Sequence, residues 1–359
     1  MSEKILVALS GGVDSAVAAA ILKKAGYSLT AVTMKICAQE ESSGSPSARH
    51  GCYGPGENQD IEDARRVAAY LEIPFHVLDL CREYETEVLS EFISGYKQGR
   101  TPNPCVYCNP RIKFGALVEA AEKAGIEFQA MATGHYARIK YDPTNSRYLL
   151  KKAADSKKDQ SYFLAFLNQK QLSRAVFPLG GYTKPQVRRI ALEMSLPVSD
   201  KPESQDFVSG GYQSLLPDSP PGQVVDKSGN VLGKHAGISR YTIGQHRGLN
   251  LPGQEKLYVI KIIPEENSIV VGTEEDLLRK ELVATDLNWI AVERLSGTIK
   301  VEAKIRSSAD ASPARLEPQD ANVRVVFDTA QKGITPGQAV VFYDDDTVVG
   351  AGIISDSPD

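Results

Sequence analysis

The sequence predicts an α/β fold on a doubly wound parallel sheet, followed by a small middle domain and a C-terminal β-barrel. Three observations carry that expectation. Through the first half, short apolar runs alternate with stretches of helical period, the pattern of βα units that build a parallel sheet. At 359 residues the chain is too long for one ordinary hydrophobic core. After about residue 200 the texture changes: Pro217, Pro220, Pro221 and Gly222 interrupt the chain, and short β-rich runs with turn signals follow. The expected division is 1–200, a catalytic α/β domain; 201–277, a small and mostly β central domain; and 278–359, a β-barrel.

Each element follows from its residues. KILVAL (4–9) reads as a buried strand, 15–25 as an alanine-rich helix, and SLTAVTMKI (28–36) as a second strand. Residues 38–58 form a Gly/Ser/Pro-rich loop of a length that usually carries function. A helix over 60–72 follows, with Asp60 as its N-cap and acidic residues in its first turn. Then come FHVLDL (75–80) as a strand, helices over 84–97 and 111–125, and FQAMAT (128–133) as a strand. Ligands of such sheets sit at the carboxyl ends of the strands. That rule puts the first βα turn, the loop after the second strand and Thr133-Gly134-His135-Tyr136 on one edge.

Composition narrows the class. Apolar residues make up 42% and charged residues 24%, as in soluble globular proteins. No apolar run approaches the roughly 18 residues a membrane span needs. MSEKILVAL enters a strand directly, without the layout of a signal peptide. A cytoplasmic protein with no membrane partner is expected. With a net charge of −4, any nucleic-acid surface has to be a local basic patch. Five cysteines, an odd number, argue for catalysis or metal binding over a disulfide framework.

The first turn is the sharpest signal. In ILVALSGGVDSAVAAAILKKAG (5–26) a strand meets Ser10-Gly11-Gly12-Val13-Asp14-Ser15 and passes straight into a helix. Such a turn aims unpaired N–H groups and the positive end of a helix dipole at its occupant. Two glycines let an anion approach the backbone, and Ser10 and Ser15 add hydroxyl donors. The Walker A loop needs a lysine after its last glycine, and this turn has none.

SGGVDS resembles the PP-loop of ATP pyrophosphatases, adenine nucleotide alpha hydrolase-like enzymes that split ATP between the α and β phosphates and pass AMP to an acceptor oxygen. A second stretch, Gly99-Arg100-Thr101-Pro102-Asn103-Pro104-Cys105-Val106-Tyr107-Cys108-Asn109, is similar to the cysteine loop of the tRNA-specific 2-thiouridylases, which reads GRTPNP-D-x-x-C-N. Ala132–Arg138, Lys158–Leu164, Tyr241–Gln245 and Ile334–Val340 agree, in the family's order over essentially the whole chain.

The resemblance implies ATP-dependent 2-thiolation of the wobble uridine of tRNA. Uracil O2 is adenylated, sulfur is transferred to C2, and AMP and pyrophosphate are released. It implies ATP on Ala8, Leu9, Ser10, Gly11, Gly12, Val13, Asp14 and Ser15, with Met34 and Gly134 beside the adenine, and Mg²⁺ offsetting phosphate charge. It implies an anticodon loop on Asn103, Pro104 and Cys105, and on His135, Lys158, Asp159, Gln160, Arg306, Ser307 and Gln338, with the barrel contacting tRNA. Cys108 is the expected nucleophile, its thiol pKa lowered by Arg111 or Lys113. A sulfur donor is also implied, a cysteine desulfurase relay or sulfide.

Two departures matter. Cys105 stands where the family has its acid/base aspartate, which gives Cys105-Val106-Tyr107-Cys108. The family's second cysteine, expected just after Glu203-Ser204-Gln205-Asp206, is absent from Phe207-Val208-Ser209. Three readings stay open. Cys105 takes over as sulfur carrier or resolving thiol beside Cys108; or Cys105, Cys108 and Cys52, with Cys37 next in line, hold a [4Fe–4S] cluster; or Cys37, Cys52, Cys105 and Cys108 form a zinc site. Cys81 is expected in core packing. Two other functions compete with the main reading: an ATP pyrophosphatase acting on a small metabolite, and a non-catalytic tRNA- or metal-binding relative.

Overall fold

The computed structural model describes residues 3–36, 51–54, 56–202, 206–208, 212–216, 218–249, 251 and 256–355. They fall into two compact units. One comprises Met1–Val88, Cys105–Tyr212 and Asp346–Val348; the other comprises Leu89–Pro104, Gln213–Asp345 and Val349–Asp359.

The first unit is organised by a parallel sheet. Its strands are β1 (Lys4–Ala8), β2 (Ser28–Lys35), β4 (Phe75–Asp79), β5 (Ala130–Ala132) and β8 (Ala175–Val176), in the order β4-β2-β1-β5-β8. β1 lies between its neighbours in parallel register, Ala8 opposite Val32 and Val7 opposite Ala132. From β1 the chain winds outward to β2 and β4 on one side, then returns to lay β5 and β8 on the other. The direction of winding reverses between β1 and β5, so a crevice opens at their carboxyl ends. Both segments that follow these two strands border it.

Helix α1 (Val13–Lys24) explains its own alanines. Val13, Ser15, Ala16–Ala20 and Leu22 are all buried, because the helix is covered by the sheet and by the helix Lys184–Glu193. Small side chains let it fit between both, whereas a one-sided amphipathic helix would leave a polar face out. Helix α2 (Glu57–Tyr70) packs on β2 and β4. It begins three residues before the expected start, with Gly56 at the N-cap, so Asp60 lies in its first turn and not at its cap. Within the expected loop 38–58, Gly51–Tyr53 form a short strand, β3. It pairs in parallel with β9 (Asp206–Val208), Gly51 opposite Asp206 and Tyr53 opposite Val208. The hairpin β6–β7 (Arg138–Asp142, Arg147–Lys151) completes the strands of this unit, with Lys151 opposite Thr347.

The second unit holds two β structures. A four-stranded sheet has the order β11-β10-β13-β12: Val231–His235, Gly222–Val225, Ser268–Gly272 and Tyr258–Ile263. A barrel is closed by β14 (Leu278–Trp289), β15 (Ile299–Lys304), β16 (Ser312–Gln319), β17 (Asn322–Lys332), β18 (Ala339–Asp344) and β19 (Thr347–Ile354) in the order β14-β17-β16-β15-β18-β19. The ends join where Ala284 meets Ile354 and Trp289 meets Gly350. Inward-facing Leu282, Val301, Leu316, Val325 and Phe342 fill it. Closure removes the free sheet edges that would otherwise invite pairing. Among the described residues no helix is long and apolar enough to cross a membrane.

Candidate active site

The turn between β1 and α1 is held open by hydroxyls and by missing side chains. Gly12 caps α1 in an extended conformation. Ser15 Oγ accepts from Ser10 N at 3.1 Å, lies 3.2 Å from Ser10 Oγ, and donates to Gly12 O at 3.1 Å. Gly11 takes a positive φ of 69°, and a Cβ there would fall 2.3 Å from Asp60 O, so only glycine fits. Gly134, after β5, presses on the same turn: a Cβ on it would lie 2.6 Å from Ser15 N. Met34 lies near the carboxyl end of β2, two residues beyond the Val32–Ala8 pair. The residues expected to hold nucleotide, Ala8–Ser15, Met34 and Gly134, thus border one crevice.

Two cations stand at this turn, and the sequence signalled neither. Lys184, at the start of a helix 170 residues away, reaches both carboxylate oxygens of Asp14 at 2.7 and 2.8 Å. Tyr136 donates its hydroxyl to the same carboxylate at 2.8 Å. Lys201 bonds Asp60 Oδ1 at 2.6 Å and also Asp63, where Asp60 is the residue whose carbonyl abuts Gly11. Burial alone would lower the Lys201 pKa, but the two carboxylates outweigh it and raise it. Ordinary sequence surrounds both lysines; only the folded topology brings them to the turn.

The cysteine segment is built differently. Pro104–Tyr107 form one α-helical turn and Cys108–Ala116 a wider π-helical stretch. Pro110 has no N–H to continue an α-helical ladder, and the chain widens there. Gln171 Nε2 covers the exposed carbonyls of Pro110 and Phe114 at 2.7 and 3.1 Å. Cys105 and Cys108, three apart on this helix, share a face. Cys108 is buried and Cys105 half-buried, both as thiols. Asn109 Nδ2 donates to Cys105 O and Phe163 O, each at 3.0 Å, tying the turn to a neighbouring segment. Its Oδ1 is buried with no hydrogen-bond partner among the described residues. Arg111, one of the two residues expected to activate Cys108, pairs with Glu87 at 3.3 Å and stacks over Tyr107.

The remaining site residues separate into distinct environments. His135 packs in a three-ring cluster with Phe114 and Phe177, with Nδ1 2.7 Å from Thr133 Oγ1. Burial, then Lys113 nearby, pushes its pKa well below the usual imidazole value, so it is neutral at pH 7. Asp159 accepts from Ala153 N and Ser161 Oγ and braces its own loop, and Gln160 accepts from Tyr136 N and ties that loop to the segment after β5. Lys158 beside them is half-buried. In the second unit, Gln338 Nε2 donates to Thr101 O at 2.6 Å and Thr101 N to Pro336 O at 2.8 Å. The segment leading to Asn103 and Pro104 is thereby fixed to a barrel turn. Arg306 and Ser307 are exposed, and Arg306 Nη2 donates to Lys332 O.

Cys81, expected in core packing, is half-buried at the start of its helix, its Sγ donating to Lys35 O at 3.7 Å and its thiol pushed up to about 12, first by burial and then by Asp79. Cys37 lies outside the described residues, as do Glu203–Gln205. Cys52 is described through its backbone in β3, opposite Phe207 by the register of that pair. Among the described residues, no group of three or more metal-ligating side chains is gathered.

A glycine turn at the reversal point of a doubly wound sheet, with serine donors and no lysine of its own, defines the PP-loop class of α/β protein. Family models agree with that architecture along the chain. A tRNA methyl transferase HUP domain matches residues 3–209, a tRNA methyl transferase PRC-barrel domain 212–273 and an aminomethyltransferase β-barrel domain 279–354. The chain is 49% identical over 355 residues to the tRNA-specific 2-thiouridylase MnmA of Endomicrobium trichonymphae, covering 98% of each. It is 45% identical to that of Desulforamulus reducens, over 99% of this chain and 97% of the relative. It is 44% identical to that of Halothermothrix orenii, over 99% of both. The chain belongs to the tRNA-specific 2-thiouridylase family.

Proposed function

We propose that this protein transfers sulfur to C2 of the wobble uridine of tRNA at the expense of ATP. The observation that carries the reading is the β1–α1 turn: glycine-lined, backed by serine hydroxyls and placed where the sheet reverses. Its N–H groups and the α1 dipole suit the departing diphosphate of ATP, with Mg²⁺ entering on the phosphates. Uracil O2 attacks the α-phosphorus and pyrophosphate leaves. A sulfur nucleophile then adds to C2, and the former O2 departs as part of AMP. Asn103, Pro104 and Cys105 are assigned to the target base, Cys108 to sulfur chemistry, and Lys158, Arg306 and Ser307 to RNA phosphates. Asp159, Gln160 and Gln338 keep their assignment to tRNA through the loops they brace, and His135 offers a neutral imidazole at the edge of the nucleotide pocket.

We assign Cys105, Cys108 and Cys52 together to sulfur delivery. The strand that lacks the family's second cysteine, β9, is paired with the strand that carries Cys52. Tyr53, the next residue, stacks on Tyr84 at 5.6 Å, and the helix Cys81–Tyr84 packs against Cys108–Ala116. Three thiolates are the donor set a [4Fe–4S] cluster would need, and when bound it would supply an iron site open to sulfide. Zinc is the competing occupant. The donor, a desulfurase relay or sulfide, follows from that choice, and the three-part division 1–200, 201–277 and 278–359 remains the working frame. A tRNA substrate and reduced thiols suit the cytoplasm.

Mass spectrometry of tRNA from cells lacking the chain tests the main reading. 2-Thiouridine should disappear and return with the wild-type chain; unchanged thiouridine refutes it. Pyrophosphate release indifferent to tRNA would favour a small-metabolite enzyme. Iron, zinc and acid-labile sulfide analysis after anaerobic purification decides the occupant of the thiols.

A further inference from the structure

The absence of a lysine from Ser10–Ser15 poses an electrostatic problem. Asp14 puts a carboxylate into a turn that, on the reading above, must accept the diphosphate end of ATP. The helix dipole stabilises Asp14 but does not remove its repulsion for phosphate.

We infer that Lys184 is the lysine of this nucleotide turn, delivered from a distant helix, and that by cancelling the charge of Asp14 it makes the turn receptive to diphosphate. The inference rests on the assignment of that turn to ATP. Lys184 is 9% exposed and bonded to both oxygens of Asp14. Its backbone is fixed as firmly as its side chain: Lys184 N donates to Asp155 Oδ2 at 2.9 Å, and the helix starts with a Thr183–Gln186 capping box and a proline in its first turn. The Asp14 side chain keeps about a third of its surface open, at 33%, against 11% for Lys184. The carboxylate therefore stands at the lip and the ammonium behind it. Burying such a pair is poor economy for stability alone, since desolvation consumes much of the attraction. Its placement on the one acidic residue of a phosphate-accepting turn has a purpose that stability does not supply. Tyr136 completes the group, donating to Asp14 Oδ1 while its ring lies 5.8 Å from Lys184 Nζ. Lys184 is thus a positioning residue that acts through Asp14.

Binding of ATP, pyrophosphate and AMP to the full chain separates this role from a purely structural one. Lys184→Gln should weaken ATP and pyrophosphate about tenfold or more, the effect of one lost charge, and leave AMP within about twofold. Lys184→Arg should restore most of the loss. Adding Asp14→Asn to Lys184→Gln should recover pyrophosphate affinity, because no charge is left to cancel. Equal weakening of all three ligands, or none, overturns the inference. If Lys184→Gln cannot be purified, the test passes to the double variant Asp14→Asn/Lys184→Gln, which should bind pyrophosphate and AMP within about twofold of wild type; a loss of pyrophosphate affinity there also overturns the inference. A wild-type chain that binds no ATP would refute the assignment of the turn itself.

Discussion

The nucleotide turn and the cysteine turn lie in one unit and are built on opposite plans. Around Ser10–Ser15 the serine hydroxyls and the Asp14 carboxylate are engaged, Gly11 leaves no room for a Cβ, and Asp14 is fixed by Lys184 and Tyr136. Around Cys105–Cys108 the helix is widened, its carbonyls are covered by a side chain from elsewhere, and the buried Asn109 Oδ1 goes without a donor among the described residues. A buried unsatisfied oxygen costs about 1–3 kcal/mol. A fold keeps such a cost where something else is gained. The difference teaches that the first turn is closed around fixed side chains, as a proposed anion cradle needs, whereas the second, assigned above to sulfur chemistry, keeps a widened backbone and one unsatisfied polar atom.

The most severe way to break the comparison is to remove the thiol assigned to sulfur chemistry without touching the glycine turn. Cys108→Ala should lower thiolation by about 10³-fold or more, the scale seen when a nucleophile acting within a unit is lost. ATP affinity should stay at the wild-type value in equilibrium titration. If ATP binding falls in parallel, the two turns are not separable and the contrast is wrong.

Next is the converse change. Gly11→Ala forces a side chain into a left-handed conformation at about 1–3 kcal/mol and drives it 2.3 Å from Asp60 O. ATP affinity should drop by about a hundredfold and the melting temperature should fall, in line with the cost of strain at a rigid site. The thiol reactivity of Cys108 toward a small alkylating reagent should remain within about twofold of wild type, because Asn109 ties the cysteine turn to Phe163 and not to the glycine turn, and sites without shared partners behave independently.

Asn109→Ala probes the widened turn. It removes two Nδ2 bonds, to Cys105 O and Phe163 O, and with them the unpaired Oδ1. The loss and the relief partly cancel, so stability should change by under about 1.5 kcal/mol in denaturant titration. Sulfur transfer should nevertheless slow by about tenfold through misplacement of Cys105 and Cys108. A stability loss above about 3 kcal/mol would show the asparagine to be a structural staple only.

How much of this was legible in the sequence depends on the range of the interactions. The strand–glycine–helix unit at 4–24 is local, so its turn, sheet class and edge could be read directly, as could the place of Gly134 on that edge. The barrel was legible from its β-rich runs and turn signals. Lys184 and Lys201 were not, because a lysine at a helix start or in a connecting segment looks alike whether it faces solvent or a carboxylate 138–170 residues away. Asp60 was misread as a cap because capping patterns repeat within a first turn, and the backbone chose Gly56. The β3–β9 pairing was equally hidden, since three-residue strands carry almost no period. The π-helical widening had one cue, Asn109-Pro110 inside a helical stretch, and Pro110 is the physical reason.

The smallest expected effect sharpens the comparison from the cysteine side. His135 packs on Phe114, at the far end of the widened helix, and burial holds its pKa well below the ordinary value near 6.5. In the unfolded chain the imidazole takes up a proton near its ordinary pKa, whereas in the folded chain it does so only at a lower pH. The unfolded state therefore binds more protons in the window below about 6.5. Stability is fully present above that pH and is lost as acidification proceeds toward the folded pKa, at no more than about 1.4 kcal/mol per pH unit from one such group. His135→Phe should flatten this part of the stability profile between about pH 6.5 and 5, while leaving stability at pH 8 within about 1 kcal/mol through the retained aromatic packing. Urea titrations at several pH values measure it. An unchanged slope would mean that His135 is protonated in the folded state, and that the ring faces a charge or water in place of its two phenylalanines.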